Sequence, residues 1–246
     1  MRNTFPTIAL DRVHRWGGAA LVVVARDALD AAPHCSPRAV LSVPSVLSRA
    51  ERHVFDALPP WRQAEWWAGR LTAKRLVAEV TGTPVTSVEI LPRADGSPRL
   101  TLAAGPGGRP RDRCPHLTIS HTAHHVAVAL APGPVGVDVC ETASAGAVRR
   151  AADHVLSPAE RRLVPDGAGF LTAAWALKEA AVKAERRGLA GEAPRRVRLL
   201  GLTPPALDGP RRALVRRAGT AVLALVLAPD PEPAARQRDV PKSWVQ

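Results

Sequence analysis

Two stretches of this 246-residue chain repeat the same spacing of one aromatic and two basic residues. WAGRLTAKR (67–75) and WALKEAAVK (175–183) each place a basic residue three and eight positions after a tryptophan. Each follows a shorter helical pattern, LSRAER (47–52) or LSPAER (156–161), and each half also carries strand-forming segments. The repeat predicts an α+β pseudo-dimer of two similar lobes, with a ligand cleft between them.

The patterning predicts helices and strands in both halves. We expect helices at 45–55, 61–80, 156–164 and 170–187, the last ending at Gly188, and strands at 17–25, 135–141, 195–202 and 213–227. The segments 87–102 and 116–130 are each expected to form two strands joined by a turn, which in the second lies at 120–122. The turn APGP (131–134) favours a hairpin between the strands that flank it. A Gly/Pro/Arg loop at 105–115 divides the chain into predicted lobes 1–115 and 116–228, and the Pro-rich segment 229–246 is expected to be disordered.

The formal net charge of +12 predicts a surface that attracts phosphates or an acidic partner. Nucleic acid is the usual partner of such a surface, but aromatic residues make up only 4% of the chain, and it carries no known nucleic-acid-binding motif. The cysteines, Cys35, Cys114 and Cys140, lack C-x-x-C spacing, which favours a reducing compartment. GGAALVVVA (17–25) is short and precedes charged residues, which favours an opening strand over a secretory segment. No stretch approaches transmembrane length, so we expect a cytoplasmic protein without membrane contact.

On a helix through 170–187, Trp175, Glu179 and Lys183 lie on one face, with Lys178 beside them. The simplest interpretation is a solvated face stabilised by Glu–Lys pairs four residues apart. Trp175 instead indicates a half-buried stripe, where a carboxylate and an ammonium could hold a ligand.

In the strand VGVDVCE (135–141), the valines face one side, and Gly136, Asp138 and Cys140 face the other. Alone, Asp138 could be an edge or turn residue. Paired with Glu179 on a nearby helix, it would form two converging carboxylates, which favour magnesium over softer metals.

The segment TISHT (118–122) places Ser120 and His121 where a strand ends. The pattern H-x-x-H-H (121–125) is compatible with zinc, but no further ligand follows at a familiar spacing, so a histidine that binds a phosphate oxygen is the better interpretation. The turn RADGSPR (93–99) carries cations on both sides of Asp95 and Gly96. Since the chain has no glycine-rich nucleotide fingerprint, a nucleotide would have to be bound by these loops and by lysines.

The order of these segments resembles one protein family. A Gly-x-Pro turn (96–98), TISH (118–121), GVDV (136–139) and W-x-x-K-E-x-x-x-K (175–183) together resemble the surfactin-type 4′-phosphopantetheinyl transferases, over residues 47 to 190. The resemblance implies a pseudo-dimeric fold with coenzyme A and magnesium in the cleft. It also implies a monomeric enzyme that transfers the phosphopantetheine arm to a serine of an apo carrier protein.

The resemblance also implies roles for particular residues. The catalytic residues would be Glu179, Lys183 and His121, with Glu179 as a candidate base. Asp138 and Glu179 would bind the metal, and Trp175 would anchor the helix. Binding of coenzyme A would involve Arg52, Arg70, Gly96, Ser97, Pro98, Ser120, His121, Lys178 and Lys183.

The chain departs from the family pattern at two positions. Cys140 stands where many relatives have an acid, so we expect a water at that place on the metal, with Glu141 as a substitute only if the strand bulges. Ser97 stands where a lysine is common, and Arg99 is the expected source of the missing charge. A catalytically silent relative that binds coenzyme A or a carrier domain is the alternative function.

Overall fold

The structure is a computed structural model that describes residues 5–31, 46–103, 114–186 and 193–229. Four predicted features lie wholly or largely outside these residues. They are Cys35, most of the loop at 105–115, the helix end at Gly188, and the tail beyond Pro229.

The chain forms helices and strands in the order β1 (His14–Trp16), β2 (Ala19–Ala25), α1 (Arg26–Ala31), α2 (Arg49–Asp56), α3 (Pro60–Thr81), β3 (Val88–Pro92), β4 (Pro98–Leu102), β5 (His116–His121), β6 (His125–Ala131), β7 (Val135–Glu141), α4 (Ala145–Val155), α5 (Pro158–Leu163), α6 (Ala168–Ala184), α7 (Ala193–Arg196), β8 (Leu199–Leu202), β9 (Pro205–Leu207), β10 (Arg212–Ala218) and β11 (Ala221–Leu227). This mixture of helices and antiparallel sheets is consistent with the predicted α+β class.

Two antiparallel sheets form the centre of the molecule. The first has the strand order β1-β2-β6-β5 and the second the order β10-β11-β7. They pack through small and branched apolar side chains, including Leu21, Val23, Ala127, Val137 and Leu223. The other face of the first sheet packs on α3, and that of the second packs on α6. The hairpins β3–β4 and β8–β9 lie outside the two sheets.

The two halves share a buried ion pair of the same construction. Ser48 caps α2 and Ser157 caps α5, each in a capping box with the glutamate three residues later. Glu51 and Glu160 each accept a backbone N–H from a strand, from Ile90 at 2.9 Å and from Leu199 at 2.7 Å.

A buried lysine completes each of these clusters. Lys74 Nζ lies 2.7 Å from Glu51 Oε2, and Lys178 Nζ lies 2.5 Å from Glu160 Oε1. The contacts therefore match Lys74 with Lys178, whereas the sequence repeat matched Arg70 with Lys178, one helical turn away. The pseudo-dimer itself stays a prediction, and these matching clusters support it.

The predicted strand at 135–141 is confirmed with the same bounds, and the predicted helices at 61–80 and 156–164 are confirmed with small differences at their ends. The predicted hairpin across APGP is wrong. Both edges of β6 are already paired, with β2 and β5, so β7 pairs with β11 in the other sheet. The short strand β1 and the helix α4 were not predicted.

The predicted boundary between residues 115 and 116 falls just before β5. Since β5 and β6 complete the sheet that contains β1 and β2, this sheet draws strands from both sides of the boundary. Among the residues described, none of the helices combines the length and apolar character that crossing a lipid bilayer requires.

Candidate active site

The site forms where α6 packs directly on β7. Gly136 makes this approach possible, because a Cβ atom there would lie 1.8 Å from the carbonyl oxygen of Ala180 and 2.5 Å from the amide nitrogen of Ala184. Asp138 and Cys140 are on the same face of the strand as Gly136, as the alternation predicted. This packing places the middle of β7 against the last two turns of α6.

Asp138 is buried and held from two directions. Its Oδ1 accepts a hydrogen bond of 2.6 Å from Lys183 Nζ and another of 2.6 Å from Ser120 Oγ. The Ser120 hydroxyl also accepts the backbone N–H of Val139 at 3.3 Å. Ser120 is itself buried, and its hydrogen bond orients Asp138 across the junction of the two sheets. Lys183 supplies the counter-charge.

Glu179 lies one helical turn before Lys183 and is half-buried. Burial and the negative charge of Asp138 together raise the pKa of Glu179 to about 7, against the opposing effect of Lys183. Since Lys183 contacts Asp138 and Glu179 lies one turn earlier on the same helix, the two carboxylates are on the same side of the α6–β7 contact. A site with two carboxylates and one ammonium favours a proton or an additional cation.

The donor set at this site fits magnesium. Mg²⁺ is commonly held by one or two carboxylates together with waters and substrate phosphates, rather than by a cage of protein ligands. Asp138 and Glu179 would supply such a pair. Within the described residues, no group of three or more His, Cys, Asp or Glu side chains is arranged to hold a metal ion, and a two-carboxylate site does not need one.

Cys140 and Glu141, the two residues considered for a further metal ligand, lie on opposite faces of β7. Cys140 is buried on the site's side, where burial and nearby carboxylates raise the pKa of its thiol to about 12. A thiol is also a soft ligand, whereas magnesium prefers oxygen. The pairing of β7 with β11 has no bulge, and Glu141 on the opposite face accepts hydrogen bonds from Thr122 and Thr220 and contacts His125. Glu141 therefore does not replace the missing acid.

A cavity of about 230 Å³ adjoins the Asp138–Lys183 pair. One wall is the predicted turn Gly96–Pro98, and another is the start of β5 from His116 to Ile119. Lys183 and Arg186 supply the basic groups of the lining. The structure thus brings the Gly-Ser-Pro turn and Lys183 together around one cavity. Within the turn, the Ser97 hydroxyl donates a hydrogen bond of 2.7 Å to Asp95.

His121 lies at the exposed end of β5 and contacts α3. Its Nε2 is 3.3 Å from Glu65 Oε2, and Arg26 Nη1 is 3.8 Å from the other oxygen of that carboxylate. Burial lowers the pKa of His121, with Glu65 opposing and Lys183 adding to the effect. Glu65 and Arg26 also line a larger cavity of about 1150 Å³. The charge of Lys183 thus influences His121, but the side chain that His121 contacts is Glu65.

The remaining predicted binding residues lie elsewhere. Lys178 is fully buried, pairs with Glu160 and donates to the carbonyl of Val197, so it contributes to the core rather than to the cleft. Arg52 is exposed on α2. Arg70 is 8% exposed and packs 4.8 Å from the Trp66 ring, and its buried Nε has no hydrogen-bond partner among the described residues. Burial lowers the pKa of Arg70 to about 10.

Sequence reasoning missed several residues around the site. Glu65 and Arg26 are distant from His121 along the chain, and no local spacing connects them to it. Arg186 is three residues after Lys183 in the sequence, but helical spacing could not place it, because it lies beyond the end of α6.

Comparisons with known proteins address the half of the chain that contains this site. Residues 134–224 match the family model described as ACPS: 4′-phosphopantetheinyl transferase superfamily, a segment that includes Asp138, Glu179 and Lys183. The comparisons support this superfamily. They do not distinguish the surfactin-type subfamily.

A relative is the holo-[acyl-carrier-protein] synthase of Geobacillus kaustophilus, 36% identical over 83 residues. The alignment covers 31% of this chain and 60% of the relative's length. A solved holo-(acyl-carrier-protein) synthase from Bacillus anthracis, in complex with CoA (3′,5′-ADP), aligns with 46% of this chain and 92% of its own, at 19% identity and a TM-score of 0.37. That structural similarity is too low to support an assignment.

Proposed function

We propose that this protein is a magnesium-dependent 4′-phosphopantetheinyl transferase of the surfactin type. It would transfer the phosphopantetheine arm of coenzyme A to a serine of an apo acyl or peptidyl carrier protein and release adenosine 3′,5′-bisphosphate. The observation that carries the proposal is the convergence of Asp138, Lys183 and Glu179 within the segment that matches the superfamily.

The reaction forms one bond and breaks one. The serine oxygen of the carrier attacks the phosphorus that bears the pantetheine arm, and the bond from this phosphorus to the oxygen bridging the two phosphates breaks. The serine proton must pass to a base, and the released bisphosphate must have its negative charge stabilised.

Glu179 and Lys183 carry these tasks. Glu179 is the candidate base, because it is a half-buried carboxylate one helical turn from Lys183, beside the place where the phosphates would lie. Lys183 places its ammonium between Asp138 and the adjoining cavity, where the phosphates would lie. When bound at Asp138 and Glu179, magnesium would neutralise negative charge on the phosphates. Ser120 keeps Asp138 in position for this role.

The Gly96–Pro98 turn would border the nucleotide, and His121 and Arg70 would add positive or hydrogen-bonding groups at the other side of the cleft. Arg52 would assist from the exposed face of α2. Lys178 is left out of the ligand set because of its burial. We also propose two lobes, a monomeric state and a cytoplasmic location, consistent with the sparse cysteines and the matching Glu–Lys clusters of the two halves.

The test is a transfer assay with purified protein, magnesium, coenzyme A and several apo carrier domains, read by intact mass. A gain equal to one phosphopantetheine arm is expected. Asp138→Ala and Glu179→Ala should each reduce transfer at least a hundredfold, with the far-ultraviolet circular dichroism unchanged, because each removes half of the proposed carboxylate pair. Arg149→Ala removes an exposed charge on α4 and is the matched control.

Two results would contradict the proposal. No mass gain on any carrier, with coenzyme A still bound, would favour a catalytically silent binding protein. Substantial transfer by either carboxylate variant would remove that residue from the site.

A further inference from the structure

The cavity of about 230 Å³ beside Lys183 is lined by an arginine to which no sequence motif assigned a role. Arg186 lies two residues beyond the end of α6 and has φ 52°, a left-handed conformation that side chains with a Cβ atom rarely adopt. Glycine is the residue that usually occupies such a position after a helix. The position is nevertheless occupied by a long basic side chain, which lines the cavity beside Lys183.

A neutral ring rather than a carboxylate orients this side chain. Arg186 Nη2 lies 3.0 Å from His116 Nδ1, so the guanidinium donates to an imidazole that carries its own proton on Nε2. His116 is part of the β5 wall of the same cavity. The hydrogen bond therefore fixes the direction of the guanidinium without cancelling its charge.

The other charged groups around the cavity leave it positive. Asp95 attracts Arg186, and Arg93 repels it. The Asp95 carboxylate accepts both the backbone N–H and the hydroxyl of Ser97, so part of its hydrogen-bonding capacity is used within the turn. Lys183 is engaged by Asp138. Arg186 is thus the cation best placed to meet an anionic group of a ligand in this space.

Arg99, which the sequence suggested as the source of positive charge, is placed differently. On β4 the neighbouring residues Pro98 and Leu100 face the cavity and the core, and the alternation of a strand turns Arg99 away from both. It is exposed to solvent.

We propose that Arg186, oriented by His116, binds the 3′-phosphate of the adenosine part of coenzyme A. The inference rests on the proposed function. Lys183 marks the reacting end through its contact with Asp138. Arg186, in the turn beyond the end of α6, lines the same cavity together with His116 and the Gly96–Pro98 turn that is proposed to border the nucleotide. A cation on the nucleotide side of this cavity would meet the phosphate monoester on the ribose. A planar guanidinium matches such a group with two parallel hydrogen bonds.

The experiment measures binding without a carrier protein. Calorimetry with adenosine 3′,5′-bisphosphate and with adenosine 5′-monophosphate compares ligands that differ by the 3′-phosphate. Arg186→Gly should weaken binding of the bisphosphate roughly tenfold to hundredfold and leave the monophosphate within about twofold, since a charge-assisted hydrogen bond is lost only with the former. Arg186→Lys should lie between. Arg149→Ala should match the original protein for both ligands.

Arg186→Gly also separates binding from folding. Glycine suits the left-handed backbone, so the variant should melt at the same or a higher temperature while it loses discrimination between the ligands. A side chain with only a structural role would give a lower melting temperature and no change in discrimination.

Several outcomes would overturn the inference. Equal weakening for both ligands, no weakening, or the same selective loss in Arg99→Ala would each do so. A kinetic comparison separates the two proposals: kcat/KM for coenzyme A is divided by kcat/KM for 3′-dephospho-coenzyme A. If the original protein transfers the arm and Arg186→Gly has the same quotient, only this inference fails. If the original protein neither binds the bisphosphate nor transfers the arm, the proposed function fails as well.

Discussion

Glu179 is held between opposing electrostatic influences. Burial and the charge of Asp138 favour its neutral form, whereas Lys183 favours its ionised form, and the pKa is raised from 4.5 to about 7. The Lys183 ammonium is already bound to Asp138, which limits what it can offer to Glu179. An additional cation is the group that would let both carboxylates ionise together.

This balance predicts how stability depends on pH in the metal-free protein. Between about pH 4.5 and about pH 7, the folded state retains a proton on Glu179 that the unfolded state has lost, so this group's contribution to the free energy of unfolding falls as pH rises. Above pH 7 the contribution is constant. We therefore expect the free energy of unfolding of Glu179→Gln, minus that of the original protein, to be larger at pH 8 than at pH 5. Urea unfolding in chelator checks this.

Added magnesium provides the control for the same experiment. Because the metal binds the ionised carboxylates, it should stabilise the original protein more at pH 8 than at pH 5, and should stabilise Glu179→Gln less. A stability difference between the two proteins that does not change with pH would show that Glu179 titrates normally.

At the scale of single elements, α6 performs two tasks with two lysines. Lys178 and Lys183 are five residues apart, which places them about 140° apart around the helix. Lys178 points into the core toward Glu160, and Lys183 points toward β7 and Asp138. The sequence predicts a helix with a charged stripe here, but it does not show which lysine faces which partner, because Glu160 lies on a separate helix.

The two lysines should therefore respond differently to the same substitution. Lys178→Met leaves Glu160 buried without its partner and should reduce the free energy of unfolding by roughly 3–5 kcal/mol, with little effect on coenzyme A affinity in the folded fraction. Lys183→Met should change stability much less and should weaken coenzyme A binding at least tenfold. Chemical denaturation and calorimetry measure both quantities. A loss of coenzyme A affinity in Lys178→Met without destabilisation would return Lys178 to the ligand site.

The strands show which parts of the site local patterns can predict. Alternation in β7 correctly placed Asp138 and Cys140 opposite the valines, since side-chain direction in a strand depends only on residue parity. Alternation does not specify the partner strand. The hairpin with β6 was predicted from a nearby turn, whereas β7 pairs with β11, about eighty residues further on. The contact of Ser120 with Asp138 likewise depends on how two sheets pack.

At the scale of the whole molecule, the excess of basic residues bears on how a partner is found. The formal charge of +12 gives a long-range attraction for an acidic surface, and the family resemblance leads us to expect such a surface beside the modified serine of the proposed carrier. The Asp138–Lys183 pair, in contrast, is largely buried, with side-chain exposures of 9% and 23%. Dissolved salt screens exposed charges more strongly than buried ones.

We therefore expect salt to act on the carrier rather than on the chemical step. Raising potassium chloride from about 10 mM to about 150 mM shortens the screening distance from about 30 Å to about 8 Å, so the KM for the carrier should rise several-fold while kcat changes little. Steady-state kinetics at fixed magnesium, with coenzyme A saturating, measures both. The KM for coenzyme A, measured with the carrier saturating, is the internal comparison and should rise less, because its phosphates would meet partly buried groups. If the carrier KM is unaffected over this range, the basic surface does not steer the encounter, and docking must depend on apolar contacts instead.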